Sequence, residues 1–288
     1  MAVLGRRREA LEITIQGFRD AMALHCDITQ AGDVRNAVST VLDEWGSIDV
    51  LVNNAGSALD KRILDTTDAD WERVMRTNLD GTFFCTRECL RPMVQRGRRH
   101  IIVVASQAAG WPGFGEFAYG IAKTAQAKLV LHLLDEFRVL GKIAAREGRP
   151  APDLHAHAVF PGPVDTPMWD ELGRRRDGGA ALLSPGHCAE LIVHLAGKPG
   201  AVVEDFEGRP YLVSAISTVL PWCGRSPGFR GEVRRRTSRG PLPSASGGSR
   251  SSAWLAREGP SHHGKQTLNG KMGTGAVLFG TRVAGLIR

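Results

Sequence analysis

No run of residues in this chain approaches the ~18 consecutive apolar positions needed to cross a bilayer. The first dozen residues, MAVLGRRREALE, lack the apolar stretch of a secretory leader. Both absences lead us to expect a protein of the cytoplasm with no membrane partner. Cysteine is sparse: five residues, at 26, 85, 89, 188 and 223, with no C-x-x-C pair. An odd number without paired spacing argues against a disulfide framework. Cys85 and Cys89 stand one helical turn apart, but no histidines cluster beside them, so buried thiols are expected and a metal site is not. A positive excess is missing from most of the chain. The net charge of +7 comes from residues 221–288, which hold 12 Lys and Arg against 2 Asp and Glu, whereas residues 1–220 hold 25 against 28. The basicity therefore says nothing about what the remainder binds.

Residues 1–213 alternate short β-rich runs with helical patterns. MAVLG (1–5), AMALHCDIT (21–29), the end of GSIDVLVNNAG (46–56), HIIVVAS (100–106), LHAHAVFPG (154–162) and RPYLV (209–213) read as strands. Val34, Val38, Val41, Leu42 and Trp45 recur at helical spacing, and helices are expected over about 118–147 and 186–197. Thr67 and Asp70 form a capping-box pattern at the head of a long helix through residue 90. Strands that are continuously apolar and alternate with helices imply an α/β, doubly wound parallel sheet covered on both faces. After residue 213 the character changes. Of the 45 residues 221–265, 29 are Arg, Gly, Ser or Pro, a composition that cannot bury enough apolar surface to offset its ordering entropy. Residues 214–288 are thus expected to be a disordered basic tail. Its lack of interleaved aromatics argues against a nucleic-acid arm.

The stretch SQAAGWPGFGEFAYGIAK (106–123) carries the chemistry. Tyr119 and Lys123 lie four apart on one face of a helix, and Ser106 follows an apolar strand. A phenol of ordinary pKa, about 10, exchanges protons poorly near neutrality. A neighbouring ammonium favours the phenolate and should bring it towards the working range, while a serine hydroxyl can hydrogen-bond a substrate oxygen.

With these residues in place the chain, from residue 1 to about 213, resembles the short-chain dehydrogenase/reductase family. Asn53-Asn54-Ala55-Gly56 is similar to its sheet-stabilising turn beside the cofactor. Asn78 is similar to a helix asparagine whose backbone holds a relay water, and Asp27-Ile28 to a pair flanking adenine. Pro161-Gly162, with Val164 and Thr166, is similar to the segment clasping the nicotinamide carboxamide. The resemblance implies a Rossmann-like fold and an NAD(P)-dependent oxidoreductase interconverting a ketone and a secondary alcohol. Tyr119 would be its acid/base, Lys123 the holder of the ribose, Ser106 the group that polarises the carbonyl and Asn78 the link to solvent. Closest in character is the 3-oxoacyl-carrier-protein reductase group. Arg6 after the first strand, with no acidic residue there, implies NADP in preference to NAD. An assembly of identical subunits is common in the family.

Three departures stand out. The family opens with a strand and a T-G-x-x-x-G-x-G loop whose amides cradle the pyrophosphate, and nothing at the head of this chain matches. AVLGRRREALE is instead similar to the family's second strand and its following helix, so a truncated first strand and a gap in mid-sheet are expected, with TGAVLFGTRVAGLI (274–287) only a distant echo of that strand. Loss of several charge-assisted hydrogen bonds would leave NADPH binding no tighter than roughly millimolar. The alternative function is thus a truncated, inactive relative without competent cofactor binding. Second, His155 and His157 alternate with the apolar face of a strand and read as packing residues. Third, Arg174-Arg175-Arg176 falls where the family has a substrate lid and reads as a solvated charge run.

Overall fold

The computed structural model describes residues 1–111, 113–173, 182–197, 212–213 and 276–279. These all fall in one compact unit, Met1–Pro221 with Leu268–Arg288. The arginine run 174–176, the composition-biased stretch 221–265 and the 213/214 boundary lie outside the described residues.

Strands β1 (Ala2–Gly5), β2 (Met22–His25), β3 (Val50–Asn53), β4 (Arg98–Val104), β5 (Asp153–Pro161), β6 (Leu212–Val213) and β7 (Ala276–Phe279) form one sheet in the order β2-β1-β7-β3-β4-β5-β6. The pairs β1–β2, β3–β4 and β4–β5 are parallel. Helices α1 (Arg8–Ile15), α2 (Ala31–Trp45), α3 (Asp68–Met75), α4 (Gly81–Arg96), α5 (Phe117–Arg146), α6 (Met168–Glu171) and α7 (Pro185–Gly197) connect or cover the strands. The architecture is the α/β doubly wound sheet that the alternating pattern implies.

Side chains alternate across the pleat. Leu51, Ile101, Val103, Ala156 and Ala158 pack with α2, α4 and α5 on one face. Val50, Val52, Ile102 and Val159 pack with Leu191, Ile192 and Leu195 of α7 on the other. Because both faces are covered, the strands read as unbroken apolar runs.

The expected gap in mid-sheet is not found. Strand β7 lies antiparallel between β1 and β3, pairing Ala2, Val3 and Leu4 on one side and Val50, Leu51 and Val52 on the other. The C-terminal AVLF segment thus completes the sheet, with its direction reversed relative to its neighbours.

The helix expected through residue 90 is interrupted. Thr67 caps it as anticipated: its side chain accepts from the Asp70 N–H at 3.2 Å, and the Asp70 carboxylate accepts from the Thr67 N–H at 3.2 Å. After α3, residues Arg76–Asp80 widen into a π-helical turn before α4 resumes. Such a turn displaces backbone carbonyls from the regular ladder and recurs at functional sites. Asn78 sits at its centre. Among the described residues no helix is long and apolar enough to cross a membrane.

Cys26, Cys85, Cys89 and Cys188 are all buried free thiols, and burial pushes Cys85 up to about 12. His155 Nε2 donates to the Asp153 carboxylate at 2.7 Å, and His157 Nδ1 shares a 2.7 Å hydrogen bond with Nε2 of His100, whose pKa is pushed down to about 3 by burial and then by the two neighbouring imidazoles. These histidines are held within β4 and β5 as packing partners.

Candidate active site

At the carboxyl ends of β3, β4 and β5 lies a cavity of about 460 Å³, within the ordinary range for small-ligand sites. Its lining brings together Ser106, Tyr119 and Lys123 with Asn54, Gly56, Pro161, Gly162, Val164 and Thr166. Ser106 comes from the loop after β4, Tyr119 and Lys123 from the first turns of α5, and residues 161–166 from the end of β5 and the loop beyond it.

Two close approaches fix the geometry. Gly120 lets α5 lie against the turn after Ser106, since a Cβ there would stand 3.2 Å from the Ala108 carbonyl oxygen. Thr124 Oγ1 donates to the Ala109 carbonyl at 3.0 Å and stitches the same contact. As a result Ser106 and Tyr119 line one cavity, close enough for the Ser106 hydroxyl to temper the Tyr119 phenol's ionisation. Gly56 is the second close approach. A Cβ there would meet Asn78 Oδ1 at 2.6 Å and Lys123 Nζ at 3.4 Å.

Lys123 is only 4% exposed. Its Nζ donates to the Val104 carbonyl at 2.9 Å and lies 5.6 Å from the Tyr119 ring centroid. The electrostatics differ from the sequence expectation. Burial pushes Tyr119 up to about 12, the Ser106 hydrogen bond pulling against it and the Glu116 charge adding to it. Burial also lowers Lys123 to about 7. The ammonium expected to pull the phenol down is itself destabilised by the loss of water, so desolvation outweighs charge pairing here.

Asn78 is fully buried. Its Nδ2 donates to the carbonyls of Ser57 (2.8 Å) and Val74 (2.9 Å), and its Oδ1 accepts from the Ser57 N–H at 3.3 Å. Its backbone carbonyl accepts from Thr82 Oγ1 at 2.7 Å and from Gln126 Nε2 at 2.8 Å. Gln126, buried one turn beyond Lys123, was not singled out by sequence reasoning. A lone glutamine inside an apolar helix carries no local sign of a partner 48 residues away.

The remaining candidates stand outside the cavity lining. Asn53 is buried and donates through Nδ2 to Thr86 Oγ1 at 3.0 Å, while Ala55 packs in the core. Asp27 Oδ1 accepts from the N–H and the hydroxyl of Thr29 at 2.9 and 2.8 Å, and Ile28 is buried against Gly81. Arg6 is exposed after β1, and it is the adjacent Arg7, preceding α1, that lines the cavity.

The short chain dehydrogenase family matches residues 1–177. The chain belongs to the short-chain dehydrogenase family. Among relatives, it is 34% identical to the short-chain reductase protein NovJ of Streptomyces niveus, over 72% of this chain and 77% of that one. It is 35% identical to a short-chain dehydrogenase/reductase of Armillaria gallica over 54% of this chain, and spans about 55% of that relative's length. Among solved structures, the closed form of serine dehydrogenase complexed with NADP+ superposes with a TM-score of 0.60 at 25% identity, covering 68% of this chain and 78% of the other. Family membership fits the cavity's chemistry. Asn54, Gly56, Gly162, the Thr166 hydroxyl, Arg7 and Lys123 are groups suited to a nicotinamide cofactor.

Proposed function

We propose that this short-chain dehydrogenase interconverts a ketone and a secondary alcohol with NADP, or secondarily NAD, as cofactor. The observation that carries the reading is the convergence of Ser106, Tyr119 and Lys123 on one cavity, with Lys123 Nζ 5.6 Å from the Tyr119 ring centroid. The bound cofactor supplies or accepts the hydride at the carbonyl carbon. Every other role falls to this chain's residues. The Ser106 hydroxyl donates a hydrogen bond to the carbonyl oxygen, and Tyr119 delivers its phenolic proton to that oxygen in reduction and recovers it in oxidation. Lys123 holds the ribose end and, once anionic cofactor restores its charge, favours the phenolate. Thr166, Gly162 and Asn54 orient the nicotinamide side. Asp27 and Ile28 would meet the adenine, as the family resemblance implies, while Gly56, Pro161 and Val164 line the cavity and Asn53 and Ala55 support it from the interior.

Preference for NADP rests on Arg6 and Arg7 following β1, where guanidinium groups suit a 2′-phosphate. A reducing, cytoplasmic setting and an assembly of identical subunits complete the reading. The test is NADPH oxidation followed at 340 nm with millimolar NADPH and a panel of ketones. Turnover lost in Tyr119→Phe and in Ser106→Ala supports the proposal. Turnover retained in Tyr119→Phe would overturn it.

A further inference from the structure

The cavity carries its negative charge close to Tyr119. Glu116 immediately precedes α5, one helical turn ahead of Tyr119, and lines the cavity beside it. Its backbone is pinned from three directions. The Glu116 N–H donates to the Gly113 carbonyl at 3.2 Å, its carbonyl accepts from the Gly120 N–H at 2.7 Å, and it forms a parallel bridge with Lys61. The carboxylate folds over Gly113, where a Cβ would stand 2.6 Å from Oε2. Gly113 thus leaves room for the carboxylate to lie where it does.

Trp169 lines the same cavity. Its Nε1 donates to the Val164 carbonyl at 2.7 Å, which fixes the orientation of the indole. Glu171, at the end of α6, adds a second carboxylate to the lining. Of the cationic lining groups, Lys123 lies 5.6 Å from the Tyr119 ring centroid but is tied to the Val104 carbonyl near Gly56, on the ribose side in the proposed reaction, and Arg7 precedes α1.

A carboxylate and an immobilised indole in one cavity are the two elements that recognise an alkylammonium group. The carboxylate accepts charge-assisted hydrogen bonds, and the ring face attracts the cation. The same carboxylate opposes a substrate carboxylate or phosphate placed near the phenol. We infer that the substrates of this site carry an ammonium group near the reacting carbon, as amino alcohols and amino ketones do, with Glu116 as the counter-charge and Trp169 as the aromatic wall. The inference rests on the proposed ketone–alcohol reaction for its assay, but recognition of the ammonium group can be read separately.

The experiment compares 1-amino-2-propanol with its neutral isostere 2-butanol and with 3-hydroxybutyrate, using the full chain and NADP+. We expect kcat/KM to favour the amino alcohol over 2-butanol by roughly tenfold or more, with 3-hydroxybutyrate poorest. Glu116→Gln, which keeps the side-chain shape, brings the amino-to-neutral ratio to within about threefold of one. Equal use of the amino and neutral alcohols by the unmodified chain, a preference for the hydroxy acid, or a ratio unchanged in Glu116→Gln each overturns the inference. Should no alcohol be turned over, the reaction reading fails alone. Saturation-transfer NMR of 1-amino-2-propanol then decides: a signal lost in Glu116→Gln supports ammonium recognition, and no signal, or one equal in both proteins, overturns it.

Discussion

Gln126 Nε2 donates to the Asn78 carbonyl at 2.8 Å and to Thr82 Oγ1 at 2.6 Å, joining α5 to the π-helical turn. The Thr82 hydroxyl spends its own proton on that same carbonyl, so the glutamine must present its amide nitrogen here. Both acceptor directions of the Asn78 carbonyl are therefore filled by protein donors. A water on that carbonyl, expected from the family resemblance, would have to displace one of them.

Replacing Gln126 by leucine strips a donor from two buried acceptors. The expected loss is about 1–3 kcal/mol of unfolding free energy. Urea denaturation followed by circular dichroism checks it, and a variant as stable as the original would show that the bond to Asn78 contributes nothing net.

Gly56→Ala places a methyl 2.6 Å from Asn78 Oδ1. Overpacking of this kind costs about 1–3 kcal/mol. Combining it with Asn78→Ala should recover part of that loss, because the colliding oxygen is gone. Strictly additive destabilisation in this double-mutant cycle would rule out the clash as the cause.

Stability should depend on pH through Lys123. Its folded pKa of about 7 lies below the unfolded value of 10.5, so the unfolded chain binds more protons between those values. The penalty is fully present below pH 7 and is relieved as pH rises towards 10.5, reaching at most roughly 5 kcal/mol. Tyr119 acts oppositely and later: raised from 10 to about 12, it contributes stability that is lost as pH rises from 10 to 12. Lys123→Met should thus be more stable than the unmodified chain at pH 7, and the difference should shrink by pH 10. A difference independent of pH would exclude the lysine as its source.

Tyr119→Phe removes the group that gives its proton to the substrate oxygen in the proposed reaction. Turnover should fall by roughly 10²–10⁴-fold. Far-ultraviolet dichroism should be unchanged, since the lost hydroxyl belongs to a side chain at the cavity wall rather than within the core.

Much of this protein could be read from local pattern. The α/β alternation, the capping box of Thr67 and Asp70, and the placement of Tyr119 and Lys123 on one helix face follow from periodicities of two and 3.6 residues, which operate over short spans of chain. Partners distant in sequence left no such mark. That β7 fills the sheet between β1 and β3 depends on pairing residues 276–279 with segments more than 200 positions earlier, and four apolar residues would suit many edges. That Gln126 reaches Asn78, and that Glu116 and Trp169 face one cavity, depends on how α3, α5 and α6 are brought together. The ionisation of the site was decided the same way. Sequence placed an ammonium beside a phenol, whereas packing removed water from both, and the desolvation it imposed reversed the sign of the shift expected for Tyr119.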